Sequence, residues 1–435
     1  MLKASRTTGL VFFPAFDWAI SPTHPEREER LLYTQDQVME EGLMDVDGIV
    51  EYKVRPADYE DIRRVHFCVP DEKSVTTESH LISAGGCLVA ADAVMKGEVE
   101  NAFALVRPPG HHSMRVVHGN RGFCNINNEA IMVEYLREKY GVKKIAIVDT
   151  DCHHGDGSQD IFWHDPHTLF ISIHQDGRTL YPGSGFPHES GGPNAQGSTV
   201  NIPLPPRTGE EGFLFTLDEF VMPLLEKFNP DIIINSAGQD NHFNDPITNM
   251  NFSARGYALL TERLRPHIAV LEGGYAVENA LPYVNIGIIM AMAGMDTAYV
   301  KEPNYDRDYE PQSTDVTWRI EQLITELKGL FLGGGLKKTD YRHGEIVERQ
   351  RNIFYDTDGI QEKQREKIIY CKDCSGTLSI ESVSSLGQHI LALRIPSDAC
   401  TRCRDIGLSW FNEATKKSFD HIYLQDRIRG VYEQA

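Results

Sequence analysis

Short, continuously apolar runs recur along the first 295 residues, with amphipathic stretches between several of them. The runs cover 102–106, 145–148, 168–173, 231–235 and 268–271, and the helically spaced stretches include 128–140 and 213–228. A strand buried on both faces reads as uninterrupted hydrophobic sequence, and strands alternating with helices build a parallel sheet covered by helices. This spacing predicts an α/β domain with a mostly parallel central sheet.

Polar residues cluster just after four of the runs. The clusters are Arg107-Pro-Pro-Gly-His111-His112, Asp149-Thr-Asp151-Cys-His153-His154-Gly-Asp156, the stretch from Ser236 through Asp240 to Asp245-Pro246, and Glu272-Gly-Gly-Tyr275. Ligands of open α/β sheets bind beyond the carboxyl ends of the strands, so the clusters are expected to meet in one place. In extended backbone, Asp149, Asp151 and His153 project to one side. Two carboxylates and an imidazole begin a divalent metal site suited to zinc among others. The same residues also fit a charged turn that merely caps the sheet.

The chain has 435 residues, of which 41% are hydrophobic and 24% charged, as in soluble globular proteins. Its net charge of -20 argues against a nucleic-acid partner. That charge suits cationic partners or substrates, such as lysine-rich tails or polyamines, and equally suits solubility alone. The apolar stretch 286–293 is far shorter than the roughly 18 residues of a membrane span. No apolar signal core follows the first residues, so a cytoplasmic protein is expected.

Composition changes near residue 300. Residues 301–315 read as a polar linker, and 317–331 as a helix ended by Gly333-Gly-Gly335. The charged segment 337–364 reads as a long exposed helix or a flexible connector. Four scattered cysteines, Cys68, Cys87, Cys124 and Cys152, are expected as reduced thiols. Cys371, Cys374, Cys400 and Cys403 form two C-x-x-C pairs, the usual way to close a structural zinc site, with a hairpin expected over 377–394. A rubredoxin-like iron centre and a redox disulfide are the alternatives. The surrounding residues are not especially basic, so a structural role or a protein partner is expected rather than nucleic acid.

The four clusters occur in order with Gly122-Phe123-Cys124, Tyr181-Pro-Gly-Ser-Gly185 and an early His24-Pro-Glu-Arg-Glu-Glu-Arg30. Over roughly residues 10–295 this set resembles the histone deacetylase superfamily, which includes acetylpolyamine amidohydrolases and acetoin-utilisation proteins. Leu271-Glu-Gly-Gly-Tyr275 and the His-Pro-Glu start are similar to class II and bacterial members. The resemblance implies an arginase/deacetylase-like three-layer fold over 1–300, followed by a linker and helical connector over 301–365. A zinc-ribbon-like module with a C-terminal helix would occupy 366–435.

The resemblance also implies zinc-dependent hydrolysis of acetyl-lysine or of a small acetylated amine or polyamine. Zinc would be held by Asp151, His153 and Asp240. His112 would be general base and acid, and His111 would bond the same water. Asp149 and Asp156 would orient His111 and His112, and Tyr275 would donate to the oxyanion. Gly122, Phe123, Tyr181 and Gly274 would line the substrate channel, with Tyr181 where many relatives have Phe. A monovalent cation, K+, would contact Asp149, Asp151, His153, Ser172 and Ile173. Arg30 would be structural or would aid acetate release. His154, His174 and His242 read as scaffold, Asp245 as a turn residue, and 113–121 and Asp71-Glu72 as rim. A binding or regulatory protein on the same scaffold, acting through the ribbon, is the alternative reading; a two-metal hydrolase of arginase fold is a third, and self-association stays open.

Overall fold

The computed structural model describes residues 2–12, 20–21, 23–414 and 418–435. Eight strands build the main sheet: β1 (Lys3–Phe12), β2 (Asp47–Tyr52), β3 (Asn101–Leu105), β4 (Ile145–Asp149), β5 (Thr168–Gln175), β6 (Thr199–Leu204), β7 (Ile232–Ser236) and β8 (Ile268–Val270). Their spatial order is β2-β1-β3-β8-β7-β4-β5-β6, and every neighbouring pair is parallel. The sheet is thus wholly parallel where a mostly parallel one was expected.

Alternate residues of each strand feed opposite layers. Val148 and Ile171 pack on one side with Leu31 of α1 (Glu29–Glu40) and other helical residues. Ile147 and Phe170 pack on the other with Leu88 of α2 (Glu78–Met95) and Ile131 of α3 (Asn128–Tyr140). Helix α3 starts where the Asn127 side chain accepts from Ala130 N–H and stops at Gly141, which takes the left-handed conformation. Helices α4 (Ala254–Leu264) and α5 (Leu281–Met292) join α1 on its face, which completes three layers.

The expected linker holds one short helical turn, Tyr305–Asp308, before helix α6 (Thr314–Leu327). Beyond it lies a second sheet. Its strands are β9 (Ile346–Tyr355), β10 (Ile360–Ile369), β11 (Leu378–Ser384), β12 (His389–Ile395), β13 (His421–Asp426) and β14 (Val431–Gln434), in sequence order. Neighbours are antiparallel except β12 and β13, which are parallel and joined through α7 (Thr401–Ala414).

Here the structure departs from expectation. Segment 337–364 is neither helix nor connector; most of it forms the β9–β10 hairpin, and a boundary at 366 falls inside β10. The period of two was hidden because the three middle inward residues of β10 are polar: Glu362, Gln364 and Glu366 are buried between Ile360 and Ile368. Glu362 accepts from Gln364 Nε2 (2.8 Å) and Ser382 Oγ (2.5 Å), and Glu366 from Arg349 (2.8 Å). The helix α7 also does not end the chain, since β13 and β14 follow it.

The second sheet packs directly on the first unit. Phe67, Val69 and Val116 share an apolar cluster with Ile368, Leu378, Ile390 and Tyr423, and Met114 packs with Ile353, Tyr355 and Ile360. Among the described residues no helix is long and apolar enough to cross a membrane.

Candidate active site

The four polar clusters follow β3, β8, β7 and β4, which are consecutive neighbours in the sheet. All four strands run parallel, so their carboxyl ends open on one edge and the clusters converge there.

Asp151, His153 and Asp240 meet at the centre. All are buried, and a ligand atom from each lies within 4.8 Å of the others. His153 Nδ1 stands 2.9 Å from Asp240 Oδ2 and 3.2 Å from Asp151 Oδ1. The remaining oxygens are anchored by backbone: Asp151 Oδ2 accepts from Gly273 N–H (2.7 Å), and Asp240 Oδ1 from Cys152 N–H (2.7 Å). A Cβ at Gly238 would intrude on Asp151 Oδ2, so only glycine leaves this cradle open. Asp149 adds a third fully buried carboxylate. Concentrated buried negative charge with one imidazole fits a divalent cation, which offsets a charge that burial alone makes unfavourable.

Two carboxylate–imidazole pairs flank this set. His111 Nδ1 lies 3.0 Å from Asp149 Oδ2, His112 Nδ1 lies 2.8 Å from Asp156 Oδ1, and the two rings are 4.1 Å apart. The pairs are electrostatically different. Burial disfavours charge on His111, but the carboxylates of Asp151 and Asp149 outweigh it and raise its pKa well above 6.5. Burial, then the charge of His111, lowers His112 to about 4. His112 is therefore a neutral imidazole that donates Nδ1–H to Asp156 and presents Nε2 as a base.

Tyr275 is buried, its pKa pushed well above 10 chiefly by burial, so its hydroxyl keeps its proton. Its N–H donates to Asp245 Oδ2 (2.8 Å), while Asp245 Oδ1 caps its own turn at Ile247 (3.0 Å). Asp245 thus does more than the turn role expected of it. Arg30 lies fully buried, with its guanidinium 5.0 Å from the Tyr275 ring centroid. It donates to the carbonyls of Gly274 (2.8 Å) and Glu272 and to Glu26 Oε1 (3.1 Å). Glu272, quoted in the fourth cluster without a role, accepts from Gly110 (2.8 Å) and His111 (3.0 Å) N–H groups.

The expected channel residues gather over this floor. Phe123 is half-buried, with its ring centroid 5.7 Å from that of Tyr275, and Tyr181 sits 5.2 Å from His112. Gly122 and Phe123 both have positive φ, 53° and 69°; for a phenylalanine this is a strained state of the kind that clusters at functional sites. Gly274 also has a positive φ, 125°, and its carbonyl faces Arg30 rather than the channel rings.

Three neighbours enter the site: Arg121, read beforehand only as the end of the 113–121 rim, and Asp356 and Phe354, which were not foreseen. Arg121 donates through Nε to Asp156 Oδ2 (3.1 Å), and Asp356 Oδ1 accepts from Tyr181 Oη (2.8 Å). The Phe354 carbonyl accepts from Arg121 as well. Asp356 and Phe354 belong to the second sheet, and the only sequence hint was the Asp-Gly turn at Asp358-Gly359.

Other expectations resolve simply. His154 bonds Ser184 Oγ (2.9 Å) and Gln159 (3.1 Å), His174 bonds Ser172 Oγ (2.8 Å), and His242 bonds Glu302 (3.1 Å), all as scaffold. Ser172 is in register beside Asp149, but nothing in the geometry supports a monovalent cation there. Cys371, Cys374, Cys400 and Cys403 cluster within 4.8 Å. Cys371 and Cys400 Sγ are 3.9 Å apart, too far for a disulfide and close to the roughly 3.8 Å edge of a tetrahedral zinc–thiolate site. The hairpin expected between the two pairs is β11–β12.

Known proteins are similar to this chain in sequence and in fold. A histone deacetylase domain family model matches residues 70–286. A probable deacetylase of Archaeoglobus fulgidus is 46% identical over 350 residues, covering 74% of this chain and 94% of that protein. A histone deacetylase-like amidohydrolase of Pseudomonas aeruginosa is 33% identical over 265 residues, 56% of this chain and 67% of that protein. The crystal structure of the HDA15 HD domain is similar with a TM-score of 0.65 and 26% identity, covering 77% of this chain and 97% of that one.

Proposed function

This chain belongs to the histone deacetylase superfamily, and on that premise we propose that it hydrolyses an acylated amine, either acetyl-lysine or a small acetylated amine such as a polyamine. The observation that carries the reading is the meeting of two Asp–His pairs, a buried tyrosine and a three-residue O/N donor set at one sheet edge. Asp151, His153 and Asp240 would hold zinc, which when bound lowers the pKa of water and polarises an acyl carbonyl.

The chain's own residues perform the rest. Phe123 and Tyr181 grip the aliphatic stem of the amine and set the acyl carbon beneath them. His112, neutral and held by Asp156, takes a proton from water through Nε2 as the oxygen attacks the acyl carbon. His111, held by Asp149, bonds the same water. Negative charge then develops on the former carbonyl oxygen, and the Tyr275 hydroxyl donates to it. His112 returns its proton to the nitrogen as the C–N bond breaks, which releases acetate and the free amine. The acidic surface, with a net charge of -20, suits a cationic substrate.

The test is hydrolysis of an acetyl-lysine peptide and of a monoacetylated diamine, with and without chelation and zinc restoration. Activity is expected on at least one, lost on chelation and recovered with zinc. His112→Ala should lower kcat by about 10²–10⁴-fold, and Tyr275→Phe by about 10²–10³-fold. Full activity in Asp240→Ala would overturn the reading.

A further inference from the structure

The loop between β3 and α3 carries both catalytic histidines, and its continuation, 113–122, lies under the β9–β10 hairpin. Met114 packs against Ile353, Tyr355 and Ile360. Tyr355 Oη donates to the Val116 carbonyl (2.8 Å), and His118 Nε2 lies 2.8 Å from Ser382 Oγ. Asn120 N–H donates to Asp358 Oδ2 (2.7 Å). These contacts bring the second sheet to the channel itself.

Asp156 divides its oxygens between two partners. Oδ1 accepts from His112, and Oδ2 accepts from Nε and Nη2 of Arg121. The third arm of the same guanidinium, Nη1, donates to the Phe354 carbonyl at the end of β9. Arg121 is 8% exposed, so it can hold Asp156 in one place without competition from water. Two residues later in the hairpin, Asp356 Oδ1 accepts from both Tyr181 Oη (2.8 Å) and Gly122 N–H (3.0 Å), which pins both sides of the channel mouth with one oxygen. Docking alone does not need these contacts. Other pairs serve docking without touching Arg121, Asp156 or Tyr181, such as Gln425 Nε2 with the carbonyls of Arg63 (2.8 Å) and His66 (3.1 Å).

We propose that the C-terminal sheet is part of the catalytic apparatus: Arg121, braced against the β9–β10 hairpin, is a positioning residue for the Asp156–His112 pair, and Asp356 fixes the channel wall through Tyr181. The proposal rests on the amide-hydrolase reading above. It assigns the four-cysteine module a role inside the enzyme rather than as an appendage for a partner, because the cysteines staple the far end of the sheet that carries the hairpin.

The test uses the full, zinc-loaded chain and an acetyl-lysine peptide. Arg121→Met should lower kcat by at least about tenfold with little change in KM, because the base is misplaced while the channel stands. Arg121→Lys should recover part of that loss, since an ammonium still faces Asp156. Asp356→Ala and Tyr181→Phe should each raise KM about threefold, and the double variant should be no worse than either alone, as expected for two ends of one contact. Gln425→Ala, which weakens docking elsewhere, should lower the melting temperature and leave kcat and KM unchanged. Wild-type kcat in Arg121→Met, independent multiplication of the Asp356 and Tyr181 effects, or a kcat loss in Gln425→Ala equal to that of Arg121→Met would overturn the proposal while leaving the hydrolase reading intact. Failure of the wild type to cleave any acylated amine would overturn that reading and the proposal with it.

Discussion

Asp151 and Gly238 illustrate how a single missing atom sets the chemistry at the residue scale. Asp151 Oδ2 is held by Gly273 N–H, and the space beside it exists only because Gly238 has no side chain. Gly238→Ala should therefore weaken zinc binding by roughly 10–100-fold, read by metal titration without any activity measurement. His66 makes a second case. Its Nδ1–H donates to the Met114 carbonyl (2.8 Å) while Nε2 accepts from Asn127 N–H (2.9 Å), so the ring fits only when neutral. Burial lowers its pKa to about 3, and that of His80 to about 4. Both folded values lie below the 6.5 of the free side chain, so the unfolded chain takes up protons first as pH falls. The stability these residues contribute is full above pH 6.5 and is lost progressively toward pH 3–4. Melting temperature measured from pH 7.5 to 5 should fall, and a flat profile would contradict the neutral-ring assignment.

At the scale of elements, the most legible ones were those whose buried faces are purely apolar. The runs at 102–106, 145–148, 168–173, 231–235 and 268–271 became β3, β4, β5, β7 and β8 with boundaries shifted by a residue or two, and 128–140 became α3. Strands β1, β2 and β6 were missed: β1 and β2 mix charge with apolar residues, β2 is an exposed edge, and β6 carries Asn201 and Pro203. The β9–β10 hairpin was missed for a sharper reason. The middle inward positions of β10 are Glu362, Gln364 and Glu366, and no pattern rule anticipates a sheet interior partly built on hydrogen bonds. That interior should be sensitive to truncation. Glu362→Ala leaves Gln364 Nε2 and Ser382 Oγ without their acceptor and should cost about 2 kcal/mol in urea unfolding.

Across the whole molecule, two candidate metal sites lie in one chain, and the second sheet reaches the edge of the first where the polar clusters converge. Cys400→Ser should reduce bound zinc from about two ions per chain to about one and lower the melting temperature, measured by metal analysis and calorimetry, because closed four-thiolate sites contribute folding energy directly. Loss of both ions together would show that the sites are not independent. The donor set and the Asp–His pairing came from the family resemblance; the sequence by itself determined the α/β unit and the polar clusters that follow its strands. Those features are local: a strand's apolar run ends at a fixed point, and the polar residues after it inherit one edge of the sheet. Only the tertiary structure decided that Arg121 reaches Asp156, that Glu272 holds the histidine loop, and that Asp356 and Phe354 stand against Tyr181 and Arg121. Those contacts join residues as far apart as 121 and 354 or 181 and 356, and such pairing depends on how two sheets dock, which no periodicity along the chain encodes.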